Sequence, residues 1–526
     1  MKRSTITLVM QSMCYGFAAL LLTASCANDD TVQEGKQKQN DIPTGSTVFT
    51  GTSQPDATTR TAILNHTKGA GASVNWSSSD RIWVKDDAGT WQQSATATIP
   101  SAANQSFAKF SLSGTYTGAS HDIIYTNKTV TDSQPQVEIK AAQMQSAPNN
   151  FNHAGESGDC GIATGVKLGS GYNFTLNHKA SYLCFIPRTT NEYVKRSKLI
   201  KVEIMSDDEI AGTYNMAADG TLTLASGGSK TITVTTGSGF SIDNTADNMS
   251  KNATYAVVAP GTHKFRIRYW LRNTTDNPDG PIEGTVSKIV TVNCAAGSIN
   301  DITANLDPHD YDGTKYYMWD AQQNYWSGHE WNSASPWQPT LTTQPANPNY
   351  AQSNTDPRYW NESYSGYGVS NPATHTSCKD LPNVNEMTWY VAKGEPRWDG
   401  DELWTTMGHL YKGGMWFKKK ANISGFDANK AVDGIDWRIN SYGYGTSGPV
   451  SQTLPDAADA GNYFYLPALG WYDSGRLNNV GGFGYYWSSS ANSRDRNYAY
   501  GLDFFSGFVY VGDINRYNGF RAEALQ

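Results

Sequence analysis

The chain has 526 residues, a formal net charge of −7 and a pI of about 5.7, a balance that argues against a nucleic-acid binder. Only 17% of residues are charged, whereas 49 Gly, 30 Tyr and 16 Trp are present, which suits β-rich extracellular modules better than a cytosolic enzyme. This length leads us to expect roughly two or three domains. The six cysteines form no CxxC pair and no Cys/His cluster with zinc spacing, so no structural metal is expected from spacing. Cys14 falls within the N-terminal apolar stretch. Cys160, Cys184, Cys294 and Cys378 are widely spaced, and a Cys160–Cys184 disulfide and buried free thiols are both open readings.

Residues 1–25 read as a targeting segment: Lys2 and Arg3, then an apolar stretch from Leu8 to Leu22 that is too short to span a membrane stably. Thr23-Ala24-Ser25-Cys26 resembles a lipoprotein processing box, with the usual leucine displaced by one place to Leu22. The resemblance implies cleavage and acylation of Cys26, hence membrane attachment through a lipid anchor. An ordinary signal peptide cut near Ala24 or Ala27 is the alternative. Asn28, Asp29 and Asp30 resemble the surface-export signal of some Gram-negative lipoproteins, which implies an outer-membrane, cell-surface or pilus-tip location. Residues 26–55, rich in Asn, Asp, Gln, Thr and Gly without periodicity, read as a flexible tether.

From 56 to 160 short strands alternate with Gly, Ser, Asn and Asp clusters, with Ile82-Trp83-Val84 and Ile123-Ile124-Tyr125 as strand cores; a β-sandwich is expected. A second β-module is expected over 161–308. Its strands are Tyr182 to Ile186, Leu199 to Met205, Thr221 to Leu224, Tyr255 to Pro260, Phe265 to Trp270, Ile289 to Val292 and Ile302 to Leu306. A lone strand histidine such as His178 reads as structural. Thr59-Arg60-Thr61, Trp76 and Asp80-Arg81-Ile82-Trp83-Val84 resemble the start of fimbrillin-type pilins. The LNHKA, YAVVAPG and AGSINDI runs, in that order, resemble their second domain. The resemblance implies two fimbrillin-like β-sandwiches, pairing with other pilin subunits by strand addition, and proteolytic processing after Arg60. Arg60 as an ordinary surface residue at a strand start is the alternative.

Near Pro308 the composition changes, and twelve of the sixteen Trp lie beyond it. Residues 309 to about 375 are expected to be ordered but irregular. Two helices are predicted next: Pro382 to Lys393, with Val384, Met387 and Val391 on one face, and Asp401 to Lys412, with Leu403, Met407 and Leu410 on one face. The last segment reads as a β-hairpin, with Tyr498 to Phe505 and Phe508 to Val511 alternating around a Ser506-Gly507 turn. That register puts Leu502, Phe504, Val509 and Val511 on a core face. Gly501, Asp503, Phe505, Phe508, Tyr510 and Gly512 take the other.

The tyrosines, arginines and short polar residues around this hairpin have the composition of a paratope. From Ser488 to Ala522 there is no Lys, Glu, Gln, Met or Trp, the residues that randomising the first two bases of an asparagine codon cannot produce. LPALGWYDSGRLNNVGGFGYYWSSS, followed by SGFVYV and RYNGFR, resembles the terminal module of C-type-lectin-like surface proteins, in particular variable proteins of diversity-generating retroelements. The resemblance implies a mainly β chain ending in an α+β C-type-lectin-like domain over 309–526, with a variable segment at about 488–521. The candidate ligand-binding residues are then Arg494, Asp495, Arg496, Tyr498, Tyr500, Gly501, Asp503, Phe505, Phe508, Tyr510, Asp513, Ile514, Arg516 and Tyr517.

No enzyme motif is present. His329-Glu330 lacks the second histidine of a zinc protease helix, there is no GxSxG or phosphate loop, and the G-x-G-x-x-G spacing of Gly443 to Gly448 runs into Pro449 rather than a helical pattern, so it is no dinucleotide fingerprint. Within 309–526 no EPN or QPD triplet marks a calcium-dependent sugar site, so the fold resemblance does not imply a sugar ligand. No cofactor is expected. Asp399, Asp401 and Glu402 are the one cluster where a structural calcium ion is considered, and helix N-terminal acids explain them more simply. The expectation is a non-enzymatic adhesin, at a pilus tip or anchored rather than in the stalk, that binds a protein or glycan on another cell or host surface. A surface lipoprotein that captures or degrades glycans is the alternative; it would need a carboxylate pair in 309–375.

Overall fold

The computed structural model describes residues 45–52, 62–64, 66–69, 73–101, 105–131, 134–274, 281–362, 372–440 and 446–526. Cys26 and Arg60, and with them the expected anchor and processing site, lie outside the described residues. The described chain is mainly β.

The N-terminal sheet runs Trp91–Gln93, Trp83–Lys85, Ser120–Tyr125, Gly161–Leu168, Gly171–Thr175, Thr47–Thr52, Ala108–Leu112. Its core gathers Phe49, Trp76, Ile82, Val84, Phe110, Tyr172 and Phe174. Two expected boundaries are corrected here. Thr47–Thr52 belongs to this sheet, not to the 26–55 tether: it pairs with Gly171–Thr175 and Ala108–Leu112, and Phe49 stacks on Tyr172 with ring centroids 4.6 Å apart. The boundary at 160 is crossed in both directions. Gly161–Leu168 and Gly171–Thr175 return to the first sheet, while Gln136–Ile139 and Ala142–Met144 pair with Ala211–Met216 and Thr231–Ser241. Val137 and Ile139 are buried with the second core and Tyr172 and Phe174 with the first, so apolar burial holds each strand in its exchanged place.

In the second region Ser181–Arg188 lies between Thr254–Val258 and Ile299–Asn305 in a three-stranded sheet. This sheet packs face to face on the strands Lys198–Ser206 and Gly261–Asn273, with Phe185 edge-on to Tyr269. Cys160, Cys184, Cys294 and Cys378 are buried free thiols, so no disulfide joins Cys160 to Cys184. His178 is structural: its Nδ1 lies 2.8 Å from buried Asp159, which also accepts from the Tyr182 hydroxyl.

Beyond Pro308 the helix Val384–Lys393 forms where the period of 3.6 predicts one. The Asn383 side chain accepts from Glu386 N, and the Glu386 carboxylate accepts from Asn383 N, closing a capping box. Val384, Met387 and Val391 are fully buried. The second predicted helix is a hairpin instead, Arg397–Thr406 with His409–Lys418. Met407 and Gly408 form its turn, both with positive φ (48° and 76°). Gly413, read as a helix stop, sits in a strand where a Cβ would lie 2.6 Å from the Gly481 carbonyl. The acids consequently do not cap a helix. Asp399 accepts from Arg268 and Trp416, and Glu402 accepts from Thr285 and Ser287 across the Thr285–Glu402 pairing.

Candidate functional site

The last sheet runs Tyr316–Tyr317, Phe520–Arg521, Gly484–Ala491, Tyr498–Phe505, Phe508–Asn515, Thr446–Gly448. Its terminal hairpin has the expected register, with Phe505 opposite Phe508 and Asp503 opposite Tyr510. Leu502, Phe504, Val509 and Val511 are fully buried and pack with the helix residues Val384, Met387 and Val391. Side chains alternate across a strand, so Asp503, Phe505, Phe508 and Tyr510 face away from that core, and all four are half-buried.

The adjacent strand extends this outer face. Tyr485 stands opposite Asp503, giving a row Tyr485–Asp503–Tyr510–Ser447 across four strands. A belt of rings surrounds it. Trp471 meets Tyr485 at 4.5 Å, Phe483 meets Phe505 at 5.0 Å, Phe505 stacks on Phe508 at 5.6 Å and Phe508 on Tyr510 at 5.8 Å. Gly512 makes room for it: a Cβ there would sit 2.1 Å from the Tyr510 ring, which would have to move aside. Trp471, Phe483 and Tyr485 were missed by sequence reasoning. The position of Tyr485 between buried Gly484 and buried Tyr486 on the strand was the signal that could have found it.

Asp503 is the only carboxylate in the belt. Burial among the rings pushes its carboxyl up to about 7, opposed by the hydrogen bond from its own backbone N–H. Neither a lysine nor an arginine offsets this among the described residues. The site can therefore offer flat apolar surface around one poorly solvated acid.

The structure divides the other candidates. Arg494 and Arg496 are exposed, and with Asp495 and Tyr498 they occupy the opposite end of the hairpin, about 23 Å along the strand from Phe505. Asp513 accepts from Asn492 at that end, and Ile514 packs with the cluster of Trp319, Trp487 and Phe520. Tyr517 is exposed at 44%. Three candidates are corrected. Tyr500 is buried on the core face beside Trp437, because it shares the alternation of Leu502 and Phe504. Gly501 is buried where a Cβ would meet Ile514 at 2.9 Å and the Tyr486 carbonyl at 3.0 Å. Arg516 is fully buried, donating from Nε to the Tyr498 carbonyl with its guanidinium 4.4 Å from the Trp319 ring. It holds the sheet against the 316–362 segment and cannot form the rim of a ligand site.

No family model matches the chain, and no curated protein matches it. Among solved structures it is similar to a candidate cell adhesion protein from Bacteroides ovatus, with 12% identity over 49% of this chain and 91% of that one, at a TM-score of 0.30. A candidate cell adhesion protein from Bacteroides uniformis gives 13% identity over 48% and 100%, at 0.26. A fimbrial protein from Bacteroides ovatus gives 11% identity over 90% and 98%, at 0.23. Likenesses at these TM-scores assign this chain neither a ligand nor an activity.

Proposed function

We propose that the chain is a cell-surface adhesin that binds its ligand through the aromatic outer face of the terminal hairpin. The observation that carries this reading is the half-buried belt of Trp471, Phe483, Tyr485, Phe505, Phe508 and Tyr510 around Asp503, on the side of the sheet opposite a fully buried core. A contiguous aromatic surface left partly open to water is costly and marks interaction sites. Asp503 gives the face a preference for a ligand that brings a cation, since ring faces and a lone carboxylate both favour positive charge. The lectin-like module, with sequence diversification over about 488–521, belongs to this proposal. So do acylation at Cys26, processing after Arg60 and strand addition with other pilin subunits, which together would display the face at an outer-membrane surface or pilus tip.

The test is adhesion of beads carrying the intact protein to bacterial and epithelial cells. Phe508→Ala and Asp503→Ala should abolish adhesion, while Arg494→Ala, at the far end of the hairpin, should lower it little. Equal loss in all three would move the site away from the belt, and adhesion unaffected by the first two would overturn the reading.

The glycan-degrading alternative draws on a cavity of about 400 Å³ lined by Asp320, Asp356, Tyr359, Trp360, Glu362 and His375. Its carboxylates are already engaged. Asp320 accepts from Asn361, Thr374 and His375, Asp356 from Arg358, and Glu362 from Asn354. An opposed acid and base would require one of these to be released.

A further inference from the structure

Three residues far apart in the chain, His66, Cys184 and Asp301, are brought together in the second β region. Cys184 lies on Ser181–Arg188, opposite Tyr255 on one neighbouring strand and Asp301 on the other. Residues side by side in a sheet row point to the same face, so Tyr255, Cys184 and Asp301 form one line of side chains. The segment 66–69 lays His66 over this line. Its Nε2 is 3.4 Å from Asp301 Oδ1, and its Nδ1 is 3.2 Å from Tyr255 Oη. His66 and Cys184 are buried, and one ligand atom from each of the three residues lies within 4.8 Å of the others.

The hydrogen bonding leaves a gap at the centre. Tyr255 Oη donates to Asn149 Oδ1 at 2.5 Å, so toward His66 it can only accept. This places the imidazole proton on Nδ1 and turns the Nε2 lone pair toward Asp301. Asp301 Oδ2 accepts from Gly69 N at 2.8 Å, but Oδ1 is buried with no hydrogen-bond partner. Two acceptors thus face each other at 3.4 Å, beyond ordinary hydrogen-bond length, and the buried Cys184 thiol, which hydrogen-bonds to Asp301, supplies the one proton between them. A metal ion that displaced this thiol proton would engage the sulfur, the Nε2 lone pair and Oδ1 together. A separation of 3.4 Å is also the edge of a tetrahedron whose metal–nitrogen and metal–oxygen bonds are about 2.0–2.2 Å.

We propose that His66, Cys184 and Asp301 form a binding site for a zinc-class divalent ion. The sulfur, nitrogen and oxygen donors match the borderline softness of that class. A fourth position is left for water, and Tyr255 orients the imidazole through its other nitrogen, as outer partners of metal-bound histidines do. The ion would fasten the 66–69 segment to the strand row, where the Lys68–Asp247 ion pair and the Gly69–Asp301 hydrogen bond already hold it. A shared proton, on Nε2 or on the Cys184 sulfur, is the competing occupant.

The test is cobalt(II) added to the full chain after chelator treatment and dialysis. A thiolate-to-cobalt charge-transfer band in the near ultraviolet is expected, displaced by zinc and absent in Cys184→Ser. His66→Ala and Asp301→Asn should each weaken cobalt binding by about ten-fold or more. Zinc should raise the melting temperature of the wild type and not that of His66→Ala, which keeps the strand row intact if Cys184→Ser fails to fold. No band at saturating cobalt would overturn the proposal and leave the shared proton. A band unchanged in both His66→Ala and Asp301→Asn would assign it to another thiol and overturn it equally.

Discussion

Arg268 Nη2 donates to Asp399 Oδ1 at 2.9 Å, and both side chains are buried where the strand Gly261–Asn273 approaches the hairpin of Arg397–Thr406. The ion pair thus bridges the two sides of the Pro308 composition change, where the strands themselves join through the Thr285–Glu402 pairing. Asp399→Ala would leave Arg268 with the Thr285 hydroxyl at 3.1 Å and the carboxylates of Glu203 at 3.7 Å and Asp401 at 3.9 Å, and Trp416 Nε1 without its acceptor. Breaking a buried pair costs about 3–5 kcal/mol, and the two remaining acids place this one at the lower end. Urea unfolding of the variant measures it; a loss below about 1 kcal/mol would show that Glu203 and Asp401 hold Arg268 unaided.

Two carboxyls give the chain a pH dependence of unusual sign. Burial raises Asp503 to about 7, and burial, with Asp399 second, raises Glu402 to about 7. An acid whose pKa is raised on folding holds more protons folded than unfolded, so stability falls as pH rises from about 4 toward 7. Asp503→Asn should gain stability at pH 8 relative to pH 4.5, by about 1–3 kcal/mol after allowance for water near the carboxyl. Glu402→Gln, which keeps an acceptor for Ser287 and Thr285, should shift in the same direction. Melting temperature against pH for wild type and both variants decides it; parallel curves would remove these groups as the cause.

The helix at 384–393 and the terminal hairpin were legible because each is set by local periodicity and its own turn or cap. Asn383 and Glu386 stand at capping-box spacing, and Ser506-Gly507 fixes a register that places Phe504 inside and Phe505 outside. The 401–412 hairpin was misread because Leu403 and Leu410, at helical spacing, also fall on one face when the chain turns at Met407-Gly408. The exchange of Gln136–Ile139 for Gly161–Leu168 between sheets, and the meeting of His66 with Cys184 and Asp301, are long-range pairings that no local spacing encodes. At the candidate site, alternation found Asp503 and Phe505. The register that brings Tyr485 opposite Asp503 belongs to a strand earlier in the chain, and only the assembled sheet displays it.

The capping box makes a separate prediction for the helix. Asn383→Ala removes the acceptor for Glu386 N and frees the Glu386 carboxylate from its reciprocal bond, at a cost of about 1 kcal/mol. Asn383→Ser, which keeps a capping oxygen, should recover most of that in thermal unfolding. Equal losses in both would locate the effect in the Asn383 bond to the Ala428 carbonyl instead.

The two faces of the terminal hairpin should separate in a paired measurement. Phe504 is fully buried beside Phe417 and Tyr486, and its ring occupies the space over Gly484. Phe504→Ala therefore removes burial and leaves a cavity, with a loss of about 3–5 kcal/mol. Phe505 and Tyr510 are half-buried and contact other rings of the belt, so Phe505→Ala and Tyr510→Ala should each cost about 1 kcal/mol. If the belt is the ligand site, those same two changes should weaken binding by about 2 kcal/mol or more, the effect of a central aromatic anchor. Melting temperature and binding to the surface the intact protein adheres to are read on each variant. Should Phe505→Ala and Tyr510→Ala unfold the module as readily as Phe504→Ala, the belt would be part of the core, and the adhesin reading built on it would fall.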